Sequence, residues 1–542
     1  MKFNEYKGLD LVSTGNEVLE RWKKNHAFEK SLELREGAPE FIFFEGPPSA
    51  NGMPGIHHVM ARSIKDAICR YKTQSGYKVN RRAGWDTHGL PVELGVEKML
   101  GITKEDIGTK ITVEEYNDAC RKEVMKYTAE WVNMTERVGY WVDMDDPYIT
   151  YDNRYIETLW YLLKKIYNKG LLYKGKSIQP YSPAAGTGLS THELNQPGCY
   201  RDVKDTTCVA QFKVVRDEKS EFLFSEGVPA YFLAWTTTPW TLMANRMLAV
   251  GPDMEYGLYD GMVVSVKAAE KLFPELEPEK TFKGSDLAGL EYESIDGTKC
   301  KVFTGDFVGD DEGTGIVHIA PAYGEDDYAL YLEHETEAEF VDVLDENGYY
   351  LPEYAEKLHE LGVRDTDENG IQIWDANKFI AKCMEAAGII YKIEYIKHEY
   401  PFNPRSKTRI MYRAFPSWFF DIDGQKEMML EQNENINWFP AYLKHGRFAK
   451  NIEQAPDWNL SRDRFWATAM PVWKGDKGSI KVVGSYDELY ELSGVKLDDY
   501  HRPWVDAIEF DIDGEHFTRI DKVLDCWFES GSMPFAQMHY PF

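Results

Sequence analysis

FFEGPPSANGMPGIHH, at residues 43–58, is the stretch of sequence from which the fold is predicted. The apolar run at 41–44 is predicted to be a strand, and it ends in a turn rich in Gly, Pro and Asn. The turn delivers two adjacent histidines to the start of a helix predicted over 56–73. Because nucleotide sites are built in this way at the carboxyl end of a parallel strand, we expect an α/β domain with a nucleotide site at these histidines.

A second motif, GWDTHGLPVE at residues 84–93, follows a short apolar strand predicted over 77–80. Strand, helix and strand in this order form a parallel crossover unit. Within the motif, Asp86 lies in a Gly-flanked turn after the strand. An Asp in such a turn can hold a cationic amino group, or it can simply close an Asx turn. Both interpretations stay open on this motif alone.

Composition and charge limit the classes of protein to consider. The 542 residues carry a formal net charge of −28, which repels polyanions at long range, although a locally basic groove could still bind nucleic acid. Seven scattered cysteines without a CxxC pair indicate a reducing compartment rather than disulfides or a cysteine zinc site. Residues 1–5 lack an apolar signal core, and no apolar run reaches the length of about 18 residues that a membrane span needs. We therefore expect a cytoplasmic protein without a membrane span.

The character of the sequence changes twice along the chain. From about residue 177 to about 395, short β-branched and aromatic runs alternate with Gly, Asp and Pro turns, and the helix-compatible pattern returns after 412. Strands are predicted over 207–215, 262–266, 301–307 and 315–320. Further helices are predicted over 16–31, 113–138, 153–168 and 376–387. The simplest interpretation is one α/β domain interrupted by a β-rich insertion.

Two later motifs complete a family pattern. DWNLSRDRFW at 457–466 and DCWFESGS at 525–532 are similar to DWxISRxRYWGTPxPxW and DxWFxSGS. With the two motifs above, they resemble class I aminoacyl-tRNA synthetases, and within that family the isoleucyl branch. The resemblance covers the chain from about 41 to 542. It implies a Rossmann-like catalytic domain whose two halves, 1–180 and 401–542, are interrupted by an inserted editing domain over 181–400.

The resemblance also implies the residues of a synthetic site. Its catalytic residues are His57 and His58. The implied amino-acid-binding residues are Gly46, Pro47, Asp86, Trp466 and Trp527. The implied ATP- or adenylate-binding residues are Gly55, His57, His58, Glu529, Ser530 and Gly531. In this interpretation Asp86 contacts the substrate α-amino group, while the glycine, proline and tryptophans line an apolar slot suited to a branched aliphatic side chain.

The insertion contains a second group of candidate residues. WTTTPWTL at 235–242 places four hydroxyls in six residues, and GTGIVHIAPAYGEDDY at 313–328 has a His and a carboxylate nine residues apart. A threonine run alone is also typical of a strand edge. The resemblance implies an editing pocket made of Thr236, Thr237, Thr238, Thr241, His318 and Asp327. There the Asp anchors the α-amino group of a mischarged residue, the threonines bind the terminal adenosine and place a water, and the His admits valine but excludes isoleucine.

A hydrolytic site is needed because one missing methylene changes binding by only about 1–3 kcal/mol, a limit for which the isoleucyl enzymes are themselves the known example. The resemblance therefore implies that L-isoleucine is activated with ATP and Mg²⁺ and transferred to tRNA(Ile), with editing of misactivated valine, by a monomer. We expect no zinc, because 183–186, 403–406 and 473–476 lack the CxxC pairs of many bacterial relatives. The chain stops before a KMSKS-like loop and an anticodon-binding domain, so adenylate formation should be impaired.

The order of the histidines departs from the family pattern Pro-His-x-Gly-His, because His57 occupies the place of the family's Gly. Either the loop shifts so that His57 serves as the first histidine, or ATP binding is weakened. We expect an active site in which Gly55 frees room for the rearranged loop, and in which adenylate mimics and natural inhibitors bind differently. The alternatives are a valyl enzyme, a stand-alone deacylase with a decayed synthetic site, and a non-catalytic tRNA-binding protein.

Overall fold

A computed structural model describes residues 8, 10–189, 191–195, 197–309 and 311–542. The chain divides into two units, one formed by Met1–Tyr173 with Trp418–Phe542 and the other by Lys174–Ser417. The α/β class with a β-rich insertion is thereby confirmed, whereas the editing role predicted for 181–400 stays a prediction. Residues 1–5, on which the expectation about a signal core rests, lie outside the described residues.

The first unit is mainly helical, with short strands. Its α-helices are Leu11–Asn25, Ala27–Glu33, Ile56–Gln74, Leu90–Leu100, Val113–Val124, Thr128–Val138, Asn153–Asn168, Lys426–Glu434, Ala449–Gln454, Tyr486–Ser493, Cys526–Gly531 and Met533–Ala536. Its strands are Arg82–Trp85, Asp143–Ile149, Trp458–Asn459, Ser461–Arg462, Val472–Gly475, Ile480–Val482, Phe510–Ile512, Glu515–Arg519 and Val523–Leu524. Arg82–Trp85 and Asp143–Ile149 pair in parallel, so side chains that follow both strands lie at one edge. The strands Leu172–Ser182 and Met411–Phe420 contain the two unit boundaries.

The first crossover is only partly regular. The prediction of a strand over 41–44 is wrong. Glu40 forms a single parallel bridge with Lys78, and residues 41–44 then follow an irregular path. The Phe41 amide donates to the Lys78 carbonyl at 2.9 Å, so the direction of the crossover is as predicted. Three prolines and three glycines over 45–55 prevent a longer ladder.

The helix Ile56–Gln74 matches the predicted one closely, but its apolar stripe faces solvent. The five side chains of the stripe are 50 to 82% exposed: Ile56, Met60, Ile64, Ile68 and Tyr71. The opposite face is buried, and there the Arg62 guanidinium contacts the Trp131 ring and donates to the Thr135 hydroxyl at 3.1 Å. Periodicity therefore predicted the helix, and tertiary packing chose the buried face.

The second unit is built on a ten-stranded sheet. Its strands are Thr187–Gly188, Tyr200–Val214, Tyr231–Thr236, Met247–Val250, Glu255–Tyr259, Met262–Ser265, Lys280–Lys283, Glu291–Glu293, Lys299–Thr304, Ile316–Ile319 and Ile390–Pro401, the first of them outside this sheet. Its α-helices are Thr191–Leu194, Val266–Leu272, Gly284–Leu287, Glu325–Glu333, Pro352–Glu360 and Ile373–Ala386. Because Tyr231–Thr236 pairs with Tyr200–Val214 as well as with its other neighbours, part of the sheet closes on itself. The enclosed core is formed by residues such as Phe212, Phe232 and Leu248.

Two predicted helices are interrupted in the structure. The helix predicted over 16–31 breaks at His26, which has a φ of 47° and separates Leu11–Asn25 from Ala27–Glu33. The helix predicted over 113–138 is two helices, Val113–Val124 and Thr128–Val138. None of the described helices is long and apolar enough to cross a membrane.

Candidate active site

The two histidines lie at the start of the helix Ile56–Gln74. The Gly55 amide donates to His58 Nδ1 at 2.8 Å, so this imidazole caps the helix. The ring centroid of His58 lies 3.8 Å from that of His57 and 4.5 Å from that of Trp131. Burial, together with the charges of His57 and Arg62, lowers the pKa of His58. His58 is therefore neutral with its proton on Nε2, which makes it a hydrogen-bond donor beside a positive helix end.

Gly55 provides the space that the exchanged histidine occupies. A Cβ atom at position 55 would lie 2.8 Å from His57 Cε1, while the φ of −107° suits any residue. We expect Gly55→His alone to lower the free energy of unfolding by about 1 kcal/mol, because His57 must move. Gly55→His combined with His57→Gly should recover most of that loss, since the contact disappears. Urea unfolding measures both, and equal destabilisation in the two variants would contradict this account.

Asp86 presents a carboxylate oxygen without a partner. The residue follows the strand Arg82–Trp85, and its amide donates to the Pro48 carbonyl at 3.0 Å. Its Oδ1 atom is buried and accepts no hydrogen bond from any described residue. Burial, and then the charge of Glu529, raise the pKa of Asp86 to about 8. A buried anion in this position is stabilised by a bound cation, so the site is suited to an ammonium group.

Glu529 lies beside Asp86 but points into the protein. Its side chain is fully buried, and both carboxylate oxygens have partners. Oε1 accepts from the Thr468 amide at 2.8 Å, and Oε2 lies 2.6 Å from His88 Nδ1. Contact with ATP, which the sequence predicts for Glu529, would require these bonds to be exchanged, and that role stays a prediction.

The two predicted pocket tryptophans differ in burial. Trp466 is fully buried, and its indole N–H donates to the Thr87 carbonyl at 2.7 Å. Its ring stacks on the His501 ring, with 5.1 Å between the ring centroids. Trp527 is 42% exposed. Trp466 therefore supports the back of the turn that carries Asp86, while Trp527 is partly exposed to solvent.

The remaining predicted residues lie on two segments. Gly46 is exposed and Pro47 half-buried, directly before the carbonyl that accepts from the Asp86 amide. The Ser530 hydroxyl donates within its own helix, to the Cys526 carbonyl at 3.1 Å, and Gly531 is exposed at the helix end. The structure thus places the loop around Gly46 next to Asp86, and the amino-acid pocket stays a prediction.

Glu93 joins two of the motifs and was not predicted as a site residue. Its carboxylate accepts from the backbone amides of Phe465 and Trp466 at 3.1 and 3.0 Å and pairs with buried Arg464 at 3.0 Å. The Arg464 guanidinium also pairs with Glu97. GWDTHGLPVE and the segment around Trp466 are therefore held in one fixed arrangement. Glu93 ends one motif and Arg464 lies inside the other. An ion pair between the two motifs could therefore have been predicted from the sequence.

The second unit contains a separate cavity of about 450 Å³. All six residues predicted for the insertion line it: Thr236, Thr237, Thr238, Thr241, His318 and Asp327. Three threonines form a hydroxyl cluster, with Thr238 Oγ1 lying 3.3 Å from Thr236 Oγ1 and 3.0 Å from Thr241 Oγ1. The threonines and the pair His318 and Asp327 are at least 77 positions apart in the sequence, so the fold brings two separate segments together at this cavity.

His318 forms a neutral wall of this cavity. Asn245 Nδ2 donates to His318 Nδ1 at 2.8 Å and to the Met247 carbonyl at 3.0 Å, which fixes the amide orientation. His318 Nε2 therefore carries the proton and donates to Thr241 Oγ1 at 3.0 Å. Burial lowers the pKa of His318 to about 3. With both ring nitrogens occupied, His318 can exclude large groups but cannot act as a general base.

Asp327 supplies a buried carboxyl group to the cavity, which Asp311 and Glu312 also line. Its Oδ1 accepts from the Ala320 amide at 2.6 Å. Burial raises the pKa of Asp327 to about 7, so a cationic ligand would favour the ionised form. A carboxylate, a hydroxyl cluster and a neutral size-limiting wall together suit an amino acid ester.

Comparison with known proteins gives the family. The family model of class I tRNA synthetases (I, L, M and V) matches residues 17–542. The chain belongs to this family. The isoleucine–tRNA ligases of Porphyromonas gingivalis and Bacteroides fragilis are each 46% identical to it over 100% of the chain and 55% of the relative. The isoleucine–tRNA ligase of Clostridium tetani is 40% identical over 99% of the chain and 51% of its own length. The chain thus spans about half the length of the curated relatives it matches.

A solved LeuRS–tRNA–LeuAMS complex from Agrobacterium radiobacter K84 is 14% identical, with a TM-score of 0.40, and the match covers 97% of this chain and 60% of that one. Among the described residues of this chain, no group of three or more His, Cys, Asp or Glu side chains is placed to hold a metal ion. The expected absence of zinc stays a prediction.

Asn245 supports His318 and was not predicted as a site residue. Its Oδ1 accepts from the Tyr292 hydroxyl at 2.7 Å and from the Ser294 hydroxyl at 3.1 Å. We expect Asn245→Ala to lower the free energy of unfolding by about 3 kcal/mol, because several buried groups lose their partners. Asn347→Ala, at an exposed position of the same unit, should change it by less than about 0.5 kcal/mol. Urea unfolding compares them, and similar midpoints would refute the expectation.

Proposed function

We propose that this chain is part of an isoleucine–tRNA ligase that activates L-isoleucine with ATP and transfers it to tRNA(Ile). The observation that carries the proposal is the buried, unpartnered Oδ1 of Asp86 at the end of the strand Arg82–Trp85. An α-ammonium group would supply the missing positive charge. The loop at Gly46 and the exposed ring of Trp527 would then receive the aliphatic side chain, consistent with relatives named isoleucine–tRNA ligases.

ATP would bind at the start of the helix Ile56–Gln74. Neutral His58 offers its Nε2–H, exposed His57 offers a second donor, and the helix end adds positive potential. Mg²⁺ would accompany ATP as part of the substrate and neutralise phosphate charge. Such donors stabilise the charge that develops as the carboxylate of isoleucine attacks the α-phosphate and pyrophosphate leaves.

The second unit would hydrolyse tRNA that carries misactivated valine, and its cavity would be the site of this reaction. Asp327 would hold the α-amino group, the threonine hydroxyls would bind the terminal adenosine and a water, and His318 would exclude the larger isoleucine side chain. Because His318 is neutral with both nitrogens occupied, the water must be activated by other groups or by the substrate. We place the enzyme in the cytoplasm as a monomer without zinc.

A second candidate function is a deacylase with an inactive synthetic site. It is favoured by one difference: all six predicted residues of the second unit line one cavity, whereas Glu529 and Trp466 of the first unit are fully buried. The histidine exchange at Gly55 and His57 would then be the lesion. Lost adenylate binding with retained hydrolysis of valyl-tRNA would identify this case.

Thermal shift with non-hydrolysable isoleucyl-, valyl- and leucyl-adenylate analogues tests the proposal. Selective stabilisation by the isoleucyl compound is expected, since a ligand at about 100 times its Kd adds about 2.7 kcal/mol to the stability of the folded form. Stabilisation by none of the three would favour the deacylase. Stronger stabilisation by the valyl or leucyl compound would contradict the isoleucine assignment.

A further inference from the structure

Three buried titratable side chains and one half-buried aspartate form a line that begins at Glu529. Glu529 Oε2 lies 2.6 Å from His88 Nδ1, and His88 Nε2 lies 2.9 Å from His501 Nε2. His501 Nδ1 lies 2.5 Å from Asp499 Oδ1. The Arg121 guanidinium donates to the other Asp499 oxygen at 2.6 Å and ends the line. We call Glu529, His88, His501 and Asp499 the relay.

The number of protons in the relay follows from its three hydrogen bonds. Each bond needs one proton between its two heavy atoms. Two ionised carboxylates and two neutral imidazoles would supply only two protons and would leave the two Nε2 atoms facing each other as acceptors. The relay therefore holds one proton more than that state, and its net charge is −1 rather than −2. Arg121 compensates the remaining charge at the Asp499 end.

The extra proton belongs to the Glu529 end. Burial lowers the pKa of His501, which favours its neutral form. Although burial opposes it, hydrogen bonds from His501 and Arg121 hold the pKa of Asp499 well below its usual range, so Asp499 is ionised. His501 then keeps its proton on Nδ1 and accepts on Nε2 from His88. The remaining proton then lies in the bond between His88 Nδ1 and Glu529 Oε2, and neither side chain has exposed surface.

We propose that the relay shares this proton in order to neutralise Glu529 beside Asp86, which makes His88 and His501 positioning residues for the substrate amino group. The inference rests on the proposed function and deepens it. Without the shared proton, two buried carboxylates would repel each other, and Asp86 would hold its own proton more tightly against the arriving ammonium group. With it, Asp86 can ionise as the substrate arrives.

The groups that face the relay and Asp86 are few. Glu529, Tyr148 and Tyr155 face the Asp86 carboxylate. His501 is faced by Asp499, His88 and Arg121. The aromatic packing is also specific, because the Trp466 ring stacks on His501 with an interplanar angle of 10° and meets His88 edge-on at 5.0 Å. Replacement of His501 by another planar ring can therefore retain the stacking while the hydrogen bonds are lost.

The test is the affinity of the chain for a non-hydrolysable isoleucyl-adenylate analogue between about pH 6 and pH 9, measured by calorimetry. In His501→Phe the pKa of Asp86 should rise by about one unit, so that affinity at pH 7 falls about tenfold relative to the natural chain. The difference should shrink to about twofold at pH 9, because titration of the analogue's own amino group affects both proteins equally. His501→Gln, which keeps a donor and an acceptor, should stay within about threefold of the natural chain. If His501→Phe does not fold, Asp499→Asn should give the same upward shift.

A loss of affinity that is equal at every pH would show a merely structural role and overturn the proposal. So would an unchanged pH profile in both His501→Phe and Asp499→Asn while the natural chain binds the analogue. Failure of the natural chain itself to bind the isoleucyl analogue at any pH would instead overturn the proposed function, and the role of the relay with it. The two failures are therefore distinguishable in one set of titrations.

Discussion

Asp86→Asn is expected to weaken binding of an isoleucyl-adenylate analogue by two orders of magnitude or more. Removing one partner of a buried, hydrogen-bonded charge pair costs about 2–5 kcal/mol, which corresponds to about thirty- to several-thousand-fold in affinity. The Asn side chain retains the shape of Asp86 but offers no charge to the ammonium group, and its Oδ1 position has no other partner among the described residues. Calorimetric titration of the two proteins at pH 8 measures the loss.

The stability of the free chain provides an internal control for this substitution. The folded pKa of Asp86 is about 8, above the ordinary value of 3.8, so the folded state retains a proton that the unfolded state releases. Stability from this group therefore falls as pH rises from about 4 to about 8. Asp86→Asn should remove that fall and leave the unliganded protein at least as stable at pH 8. Weak binding combined with clear destabilisation would point to misfolding and contradict the assigned role.

Asp327→Asn is expected to reduce hydrolysis of valyl-tRNA(Ile) by about two orders of magnitude, because the substrate amino group loses its charged anchor in the second cavity. Since burial raises the pKa of Asp327 to about 7, hydrolysis by the natural chain should increase as pH passes through 7 and the carboxylate ionises. The substituted protein should lose this increase. Release of valine from labelled valyl-tRNA over time measures both effects.

The two aspartates serve as controls for each other. Asp86 and Asp327 belong to different units, so Asp86→Asn should retain hydrolysis and Asp327→Asn should retain analogue binding. If Asp327→Asn hydrolysed valyl-tRNA at the natural rate, the assignment of the second cavity would be wrong. If either substitution abolished both activities, the assignment of analogue binding to the first unit and of hydrolysis to the second would be contradicted.

Local patterns predicted much of the fold and little of its packing. The helix Ile56–Gln74 follows from apolar spacing and from the turn before it, and the switch to β-rich sequence near residue 177 marks the insertion. The same spacing did not indicate that the apolar stripe from Ile56 to Tyr71 is exposed. Neither did it predict that residues 41–44 follow an irregular path after a single bridge at Glu40. Which face is covered depends on distant segments.

In the candidate site, too, the sequence predicted residues within motifs but not the contacts between distant segments. Asp86 was found from its turn, and the six residues around the second cavity from a resemblance, because each lies in a recognisable motif. His501 lies in no such motif, and its partner His88 is 413 positions away in the sequence. The burial of Glu529 depends on Thr468 and His88, which only the folded chain brings together. Networks between distant buried groups have no local signature.

Proton release on binding tests the central claim, that Asp86 receives the substrate amino group. The isoleucyl-adenylate analogue is titrated into the natural chain at pH 7 in two buffers with different ionisation enthalpies. Because Asp86 is mostly protonated at this pH and the analogue is mostly cationic, binding should release about one proton. Asp86→Asn should release none. Tight binding of the analogue to the natural chain without proton release would contradict the account.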